Sequence, residues 1–143
     1  MNFVAKEFGA LSGSEVYEIL KSRLEVFMLE QKILCLDMDD VDYKSHHLYL
    51  EESGRVVAYL RVYRTDETTA TIGRVLTLTH GKGLGRALME RAIPYIKEVM
   101  KPQKINLHSQ VQAKEFYEKL GFSTLGEEFL EENIPHVTME LTL

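Results

Sequence analysis

The residues best suited to chemistry lie in one run, Leu76-Thr77-Leu78-Thr79-His80-Gly81-Lys82-Gly83-Leu84-Gly85-Arg86. β-Branched and aliphatic residues lead into a glycine cluster, and helical spacing begins at Leu84. Glycine lets a backbone approach a ligand closely, and the first N–H groups of a helix have no partner within it. Such a turn suits a pyrophosphate, with Lys82 and Arg86 adding positive charge. A plain strand-to-helix turn needs the same glycines, so the run alone leaves both readings open. No Gly-Lys-Ser/Thr follows at P-loop spacing, and Gly81, Gly83 and Gly85 lack the spacing of the dinucleotide fingerprint.

Other reactive side chains are scattered. Tyr117 falls on the apolar stripe Ala113, Phe116, Tyr117, Leu120, where a tyrosine packs in a core with its hydroxyl at the edge. Asn106 and Ser109 sit near a strand end, as satisfied polar groups or as ligand contacts. Arg61 and Arg74 have apolar neighbours, so each is paired with a carboxylate such as Glu30 or faces a cleft. Glu30 is therefore a partner or a base. His46 and His47 are adjacent on a strand and point to opposite faces, and distant His136 completes no metal spacing, so no metal is expected. Asp37, Asp39, Asp40 and Asp42 lack a calcium-loop pattern and read as surface or a cation-attracting rim. Cys35 lies among acids that would raise its pKa, which suits an inert thiol.

The elements that position these groups alternate in period. Phe3–Phe8 reads as a strand, and Ser12 or Ser14 as the cap of a helix whose stripe is Val16, Ile19, Leu20, Leu24 and Phe27. Gln31–Ser45 reads as a loop. His47–Leu50 and Val56–Arg64 are strands joined by a hairpin turn at Glu52-Ser53-Gly54-Arg55, and Ala70–Leu78 is another. A helix from Leu84 ends before Pro102, with Pro94 expected to kink it. Lys104–Ser109 is a strand, Ala113–Leu120 a short helix stopped by Gly121, and Leu125–Leu130 and Val137–Leu143 are the closing strands. The pattern predicts one α/β domain over residues 1–143, with no repeat and no linker.

Composition narrows the function classes. The 143 residues carry a net charge of −5, which argues against a protein built to coat nucleic acid. Gly81–Lys104 is the basic exception, with Lys82, Arg86, Arg91, Lys97, Lys101 and Lys104 against Glu90 and Glu98. The single cysteine excludes an intrachain disulfide. No apolar run is long enough for a transmembrane span, and Lys6 and Glu7 interrupt the early apolar stretch of a would-be signal peptide. A cytoplasmic protein without a membrane partner is the expectation.

A second segment, Phe116-Tyr117-Glu118-Lys119-Leu120-Gly121-Phe122, follows the glycine run in the order and on the element expected of one family. Together they resemble the GNAT superfamily of N-acetyltransferases. Its acetyl-coenzyme A loop, Q/R-x-x-G-x-G/A, is matched by His80-Gly81-Lys82-Gly83-Leu84-Gly85, with His80 in place of the usual Gln or Arg. Its later F-Y-x-x-x-G-F is matched by Phe116–Phe122. Arg23-Leu24-Glu25-Val26-Phe27-Met28-Leu29-Glu30-Gln31 looks like the R-x-x-V-F-x-x-E-Q signature of the ElaA-like branch, and His47, Arg61, Arg74 and Ile134-Pro135-His136 also match.

The resemblance implies the GNAT fold, a twisted, mostly antiparallel mixed sheet flanked by helices, with the strands Ala70–Leu78 and Lys104–Ser109 splayed apart. It implies acetyl transfer from acetyl-CoA to a primary amine on a small molecule or peptide, by direct attack in a ternary complex, and it admits a homodimer. The cofactor would meet Leu76, Thr77, Leu78, His80, Gly81, Lys82, Gly83, Leu84, Gly85, Arg86, Asn106, Phe116 and Tyr117. Tyr117 would face the sulfur, and Glu30 would serve as base, with His136 and His47 as rivals. His47, Arg61, Arg74 and His136 would line the acceptor side. A non-catalytic coenzyme A-binding module and an unrelated nucleotide-binding enzyme are the alternatives.

Overall fold

A computed structural model describes all residues, Met1–Leu143. The first helix, α1 (Gly13–Arg23), starts at a reciprocal cap. The Glu15 N–H donates to Ser12 Oγ at 3.1 Å, and the Ser12 N–H donates to Glu15 Oε1 at 2.9 Å. The chain does not leave the helix at Arg23. It widens into π-type turns over Leu24–Glu30, closed by the Gln31 N–H on the Val26 carbonyl at 2.9 Å. The second helix, α2 (Leu84–Tyr95), contains Pro94, and the following turns, Ile96–Met100, are π-helical in the same way. Proline has no N–H and crowds the carbonyl four residues back, so the expected disturbance takes the form of a widened ladder. The short α3 (Lys114–Lys119) stops at Gly121, whose φ is 101°.

Seven strands make one sheet. They are β1 (Asn2–Glu7), β2 (His46–Glu52), β3 (Arg55–Arg64), β4 (Thr69–Thr77), β5 (Lys104–Gln110), β6 (Ser123–Glu131) and β7 (Ile134–Thr142). Their order is β1-β2-β3-β4-β5-β7-β6, antiparallel except for the parallel pair β4–β5. Tight turns at Ser53-Gly54 and Glu132-Asn133, all with positive φ, join β2 to β3 and β6 to β7. Phe8 turns out of β1 into a 3₁₀ turn, so that strand lies one residue earlier than the sequence suggests.

The sheet buries both faces. Leu48, Leu60, Val62, Ile105, Leu107 and Met139 pack with Leu88, Met89, Ala92 and Ile96 of α2 and with Tyr117 of α3. Ile19 and Val26 cover Tyr49, Val56, Tyr59 and Leu76 on the other face. Alternation then places every second residue: Leu107 and Val137 point toward α2 and α3, while His108 and His136 point toward α1.

Two irregularities shape the centre. β4 pairs with β5 only from Thr69–Lys104 to Ile72–Leu107, and the strands then diverge. Tyr59 pairs with Leu76 but Arg61 with Gly73, so β4 carries one extra residue there, a bulge. Arg74 lies in it with φ 55°.

Candidate active site

The divergence of β4 and β5 opens a cleft of about 840 Å³ that passes through the sheet. Its walls include Gly73, Arg74 and Val75 of β4, Leu107–Gln110 of β5, Ala113 and Tyr117 beside α3, and His80 of the glycine loop. From the opposite face come Leu24, Phe27, Met28 and Gln31 of the widened turns, with Glu131, Glu132 and His136. The π-type turns advance by more residues per turn than an α-helix, which brings Phe27, Met28 and Gln31 round to the cleft. Gln31 Oε1 accepts from Gln110 Nε2 at 3.1 Å, tying this segment to the end of β5.

At the end of β4 the Leu78 N–H is engaged, donating to the Val57 carbonyl at 2.9 Å. Successive N–H groups of a strand point to opposite edges, so the Thr77 N–H is directed to the edge that β5 has left. The Leu76 side chain is buried in the α1-side core. The loop beyond is open: a Cβ at Gly81 or Gly83 would meet nothing within 4 Å, yet both have positive φ, 76° and 72°. Gly83 precedes α2 without any side-chain cap, which leaves the first N–H groups of that helix directed outward. These groups fit a pyrophosphate. Gly85 is small for another reason, since a Cβ there would come within 3.3 Å of the Phe116 ring. Phe116 thus packs α3 onto the start of α2 and does not border the cleft.

Two of the charged groups at the loop, His80 and Arg86, have partners, while Lys82 has none. His80 Nε2 lies 2.5 Å from Glu30 Oε1, with both side chains exposed, so Glu30 stands at the loop and not on the cleft wall. Arg86 Nε donates to Glu90 at 2.8 Å along the helix, an exposed pair that a phosphate can compete for. Asn106 lies in the paired half of β5, where its Oδ1 accepts from Thr71 Oγ1 at 2.6 Å, outside the cleft.

Tyr117 lines the cleft, and 6% of its surface is exposed. Burial alone pushes its phenol above the usual tyrosine range, and its hydroxyl has no hydrogen-bond partner in the protein. It is therefore a protonated donor aimed into the gap. His136 is the buried imidazole on the wall. Its Nδ1 faces the Ile134 carbonyl at 2.7 Å, and a carbonyl only accepts, so Nδ1 carries the proton. In the neutral ring Nε2 is then a free lone pair, 3.6 Å from Glu131 Oε2. Glu131 Oε1 is 2.9 Å from His108 Nδ1, and Phe129 lies against both rings.

The other residues expected at the acceptor side have internal work. His47 is buried away from the cleft. Its Nε2 donates to the Asp42 carbonyl at 2.9 Å, which leaves Nδ1 to accept from the Tyr59 hydroxyl at 2.7 Å. Burial depresses its pKa, in keeping with a neutral ring. Arg61 also lies outside the cleft and clasps Asp39 at 2.7 and 2.8 Å and Asp42 at 3.1 Å. Arg74 borders the cleft, but its guanidinium is turned onto Asp37 at 2.8 Å and Asp39 at 3.4 Å. Fully buried Arg23 completes the knot with Asp37 and Asp42, both at 2.7 Å. Three of the four aspartates of the presumed surface rim are thus the internal partners of three arginines. Cys35 lies at the mouth, its thiol pushed up by burial and by Glu132. No group of three or more His, Cys, Asp or Glu side chains has a geometry for a metal ion.

Sequence reasoning missed His108, Glu131 and Glu132. One signal was present, since Asn106, His108 and Gln110 share a strand face by period two; Glu132-Asn133 lacks the glycine that marks a two-residue hairpin and shows its turn only by positive φ at both residues.

This architecture and sequence have relatives. A family model described as an acetyltransferase (GNAT) domain matches residues 12–143. A UPF0039 protein of Schizosaccharomyces pombe is 37% identical, over 100% of this chain and 98% of its own. The ElaA protein of Escherichia coli is 29% identical over 90% of this chain and 88% of its own. Among solved structures, an acyl-CoA N-acyltransferase from Pseudomonas aeruginosa superposes with a TM-score of 0.92 at 32% identity, covering 99% of this chain and 100% of that one. The crystal structure of Escherichia coli ElaA superposes with a TM-score of 0.91 at 26% identity, covering 98% of both.

Proposed function

The chain belongs to the GNAT acetyltransferase family and has its acyl-CoA N-acyltransferase fold; from that premise we propose that it transfers an acetyl group from acetyl-CoA to a primary amine by direct attack in a ternary complex. The observation that carries this reading is the through-sheet cleft, with an open glycine loop on one face and the unpartnered Tyr117 hydroxyl inside it. Acetyl-CoA supplies the acyl thioester that the amine attacks.

The chain's own groups divide the work. The N–H groups of Gly81–Arg86 and the positive end of α2 bind the pyrophosphate, with Lys82 adding charge. The Thr77 N–H, directed into the gap, donates to the acyl oxygen as negative charge builds on it. His136 Nε2 takes a proton from the acceptor's ammonium, and the neutral amine so formed attacks the thioester carbon. This assigns the base to His136 in preference to Glu30, because Glu30 does not line the cleft and its carboxylate is engaged with His80. Tyr117 donates to the departing sulfur, and burial keeps the phenol protonated for that purpose. The ammonium nitrogen gives up two protons, one through His136 to solvent and one that replaces the proton Tyr117 gives to sulfur; one amide bond forms and one C–S bond breaks, so the products are an N-acetyl amine, free coenzyme A and one proton.

The experiment has two readouts on the full chain. Calorimetry with coenzyme A tests the loop, and mass detection of N-acetyl products from a panel of amines tests transfer. Binding with a mass increase of one acetyl group on an amine is expected. Absence of coenzyme A binding overturns the proposal, while binding without transfer to any amine favours the non-catalytic module.

A further inference from the structure

Resting on the reading that acetyl transfer occurs in this cleft, we propose that the acceptor is a primary amine carried on an apolar body, an alkylamine or arylalkylamine, with its ammonium drawn to Glu131 and Glu132. The glycine loop and Tyr117 belong to the face of α2 and α3, so an acyl donor held there reaches the gap from that side. The acceptor comes from the α1 face. That mouth is walled by Tyr17, Leu24, Phe27, Met28, Ile33 and Met38. Four of these are well exposed: Tyr17 67%, Leu24 50%, Met28 44% and Met38 50%. Single exposed apolar residues are ordinary, but a contiguous set on the rim of a cleft marks an apolar ligand.

Charge selects the other end of that ligand. The mouth contains Arg23 and Arg74, but both guanidiniums are committed to Asp37, Asp39 and Asp42. Lys21 is turned toward Glu18 at 3.7 Å. A carboxylate or phosphate on the acceptor therefore finds no free cation. Glu132 is in no ion pair, and Glu131 faces only His108 and His136. These two carboxylates complement an ammonium, and they hold it beside the Nε2 of His136 that removes its proton. An amino sugar would place hydroxyl groups against Leu24 and Met28, where they lose water without gaining partners.

The test uses the full chain with saturating acetyl-CoA and a series of ethylamine, butylamine, hexylamine and phenethylamine, with glucosamine and glutamate beside them. For the linear amines kcat/KM rises about two- to fourfold per methylene as far as the apolar wall extends. Glucosamine and glutamate fall at least tenfold below hexylamine. Met28→Ser changes an exposed side chain and flattens the chain-length series. Glu131→Gln raises KM for hexylamine by about tenfold while leaving inhibition by uncharged 1-hexanol unchanged, which a general loss of structure would not do. A flat series, or transfer to glucosamine or glutamate matching that to hexylamine, overturns this acceptor class and leaves acetyl transfer standing. Failure to bind coenzyme A in calorimetry overturns the transfer reading, and the acceptor class with it.

Discussion

Tyr117 and His136 differ in how far a sequence reveals them. The helical stripe places Tyr117 correctly but is silent on its hydroxyl, because core and catalytic tyrosines share that spacing; only the splay of β4 from β5 gives the hydroxyl a cleft to face. Since the hydroxyl has no protein partner, Tyr117→Phe should leave the melting temperature nearly unchanged. Turnover should drop about 10²–10⁴-fold with little change in coenzyme A affinity, if sulfur departure limits the rate. Measuring kcat, Kd and Tm on the same variant checks this, and a melting loss with intact turnover would return Tyr117 to the core. For His136 the decisive readout is the pH profile. His136→Asn puts an amide N–H where Nδ1 donates to the Ile134 carbonyl but removes the basic Nε2, so the rising acidic limb of kcat/KM should vanish. His47 and Arg61 mislead at sequence level for one reason: a polar residue among apolar neighbours looks the same whether it faces a cleft or a buried partner. Their partners come from Asp39 and Asp42, in a loop without any period to place it.

The strands and helices were legible wherever the period was regular. All seven strands appear close to their expected spans, the hairpin falls at Ser53-Gly54, and Ser12 of the two candidate serines is the cap. What escaped the pattern is the widening after Arg23, since a π-type turn breaks the 3.6 period without announcing itself in residue type. The contact between Gly85 and Phe116 couples two elements that sequence treats separately. Gly85→Val should push α3 away from the start of α2, costing about 1–3 kcal/mol by overpacking. Because Tyr117 follows Phe116, kcat should fall together with Tm. The outcome separates from Gly83→Ala, where space is free but φ is 72°. There the backbone cost is about 1–2 kcal/mol, and the loss should appear in coenzyme A affinity more than in kcat.

Across the whole molecule the knot of Arg23, Arg61 and Arg74 with Asp37, Asp39 and Asp42 fastens the 31–45 segment over β3 and β4. Hydrogen bonds from Arg61 hold Asp39 at about 2, and Arg23 and Arg61 keep Asp42 below the usual aspartate range despite its burial. A carboxylate whose folded pKa is depressed contributes stability above its unfolded value, about 3.9, and loses it as pH falls toward the folded one. Thermal stability should therefore hold from neutrality to about pH 4 and drop between about pH 4 and 2. Asp39→Asn should be less stable at pH 7 and show a shallower acid loss, as circular dichroism melts would report. Arg23→Met leaves Asp42 with one partner fewer in a buried setting, and a loss of about 3–5 kcal/mol at pH 7 is expected.

The parting of β4 from β5 also has a signature in time. Four residue pairs join the two strands, and past Ile72–Leu107 the main chain of β4 has no neighbour on that edge. Amide hydrogens within the joined part are locked by the ladder and should exchange with solvent deuterium only through rare openings. The Thr77 amide, directed to the empty edge, should exchange orders of magnitude faster although it belongs to the central strand of the sheet. A molecule whose own amide and carbonyl groups lay along that edge would act as a substitute strand, and Thr77 would then exchange slowly while β1 and β2 kept their rates. The cleft's occupancy is thus written into the protection of a single backbone hydrogen, readable without any chemical turnover.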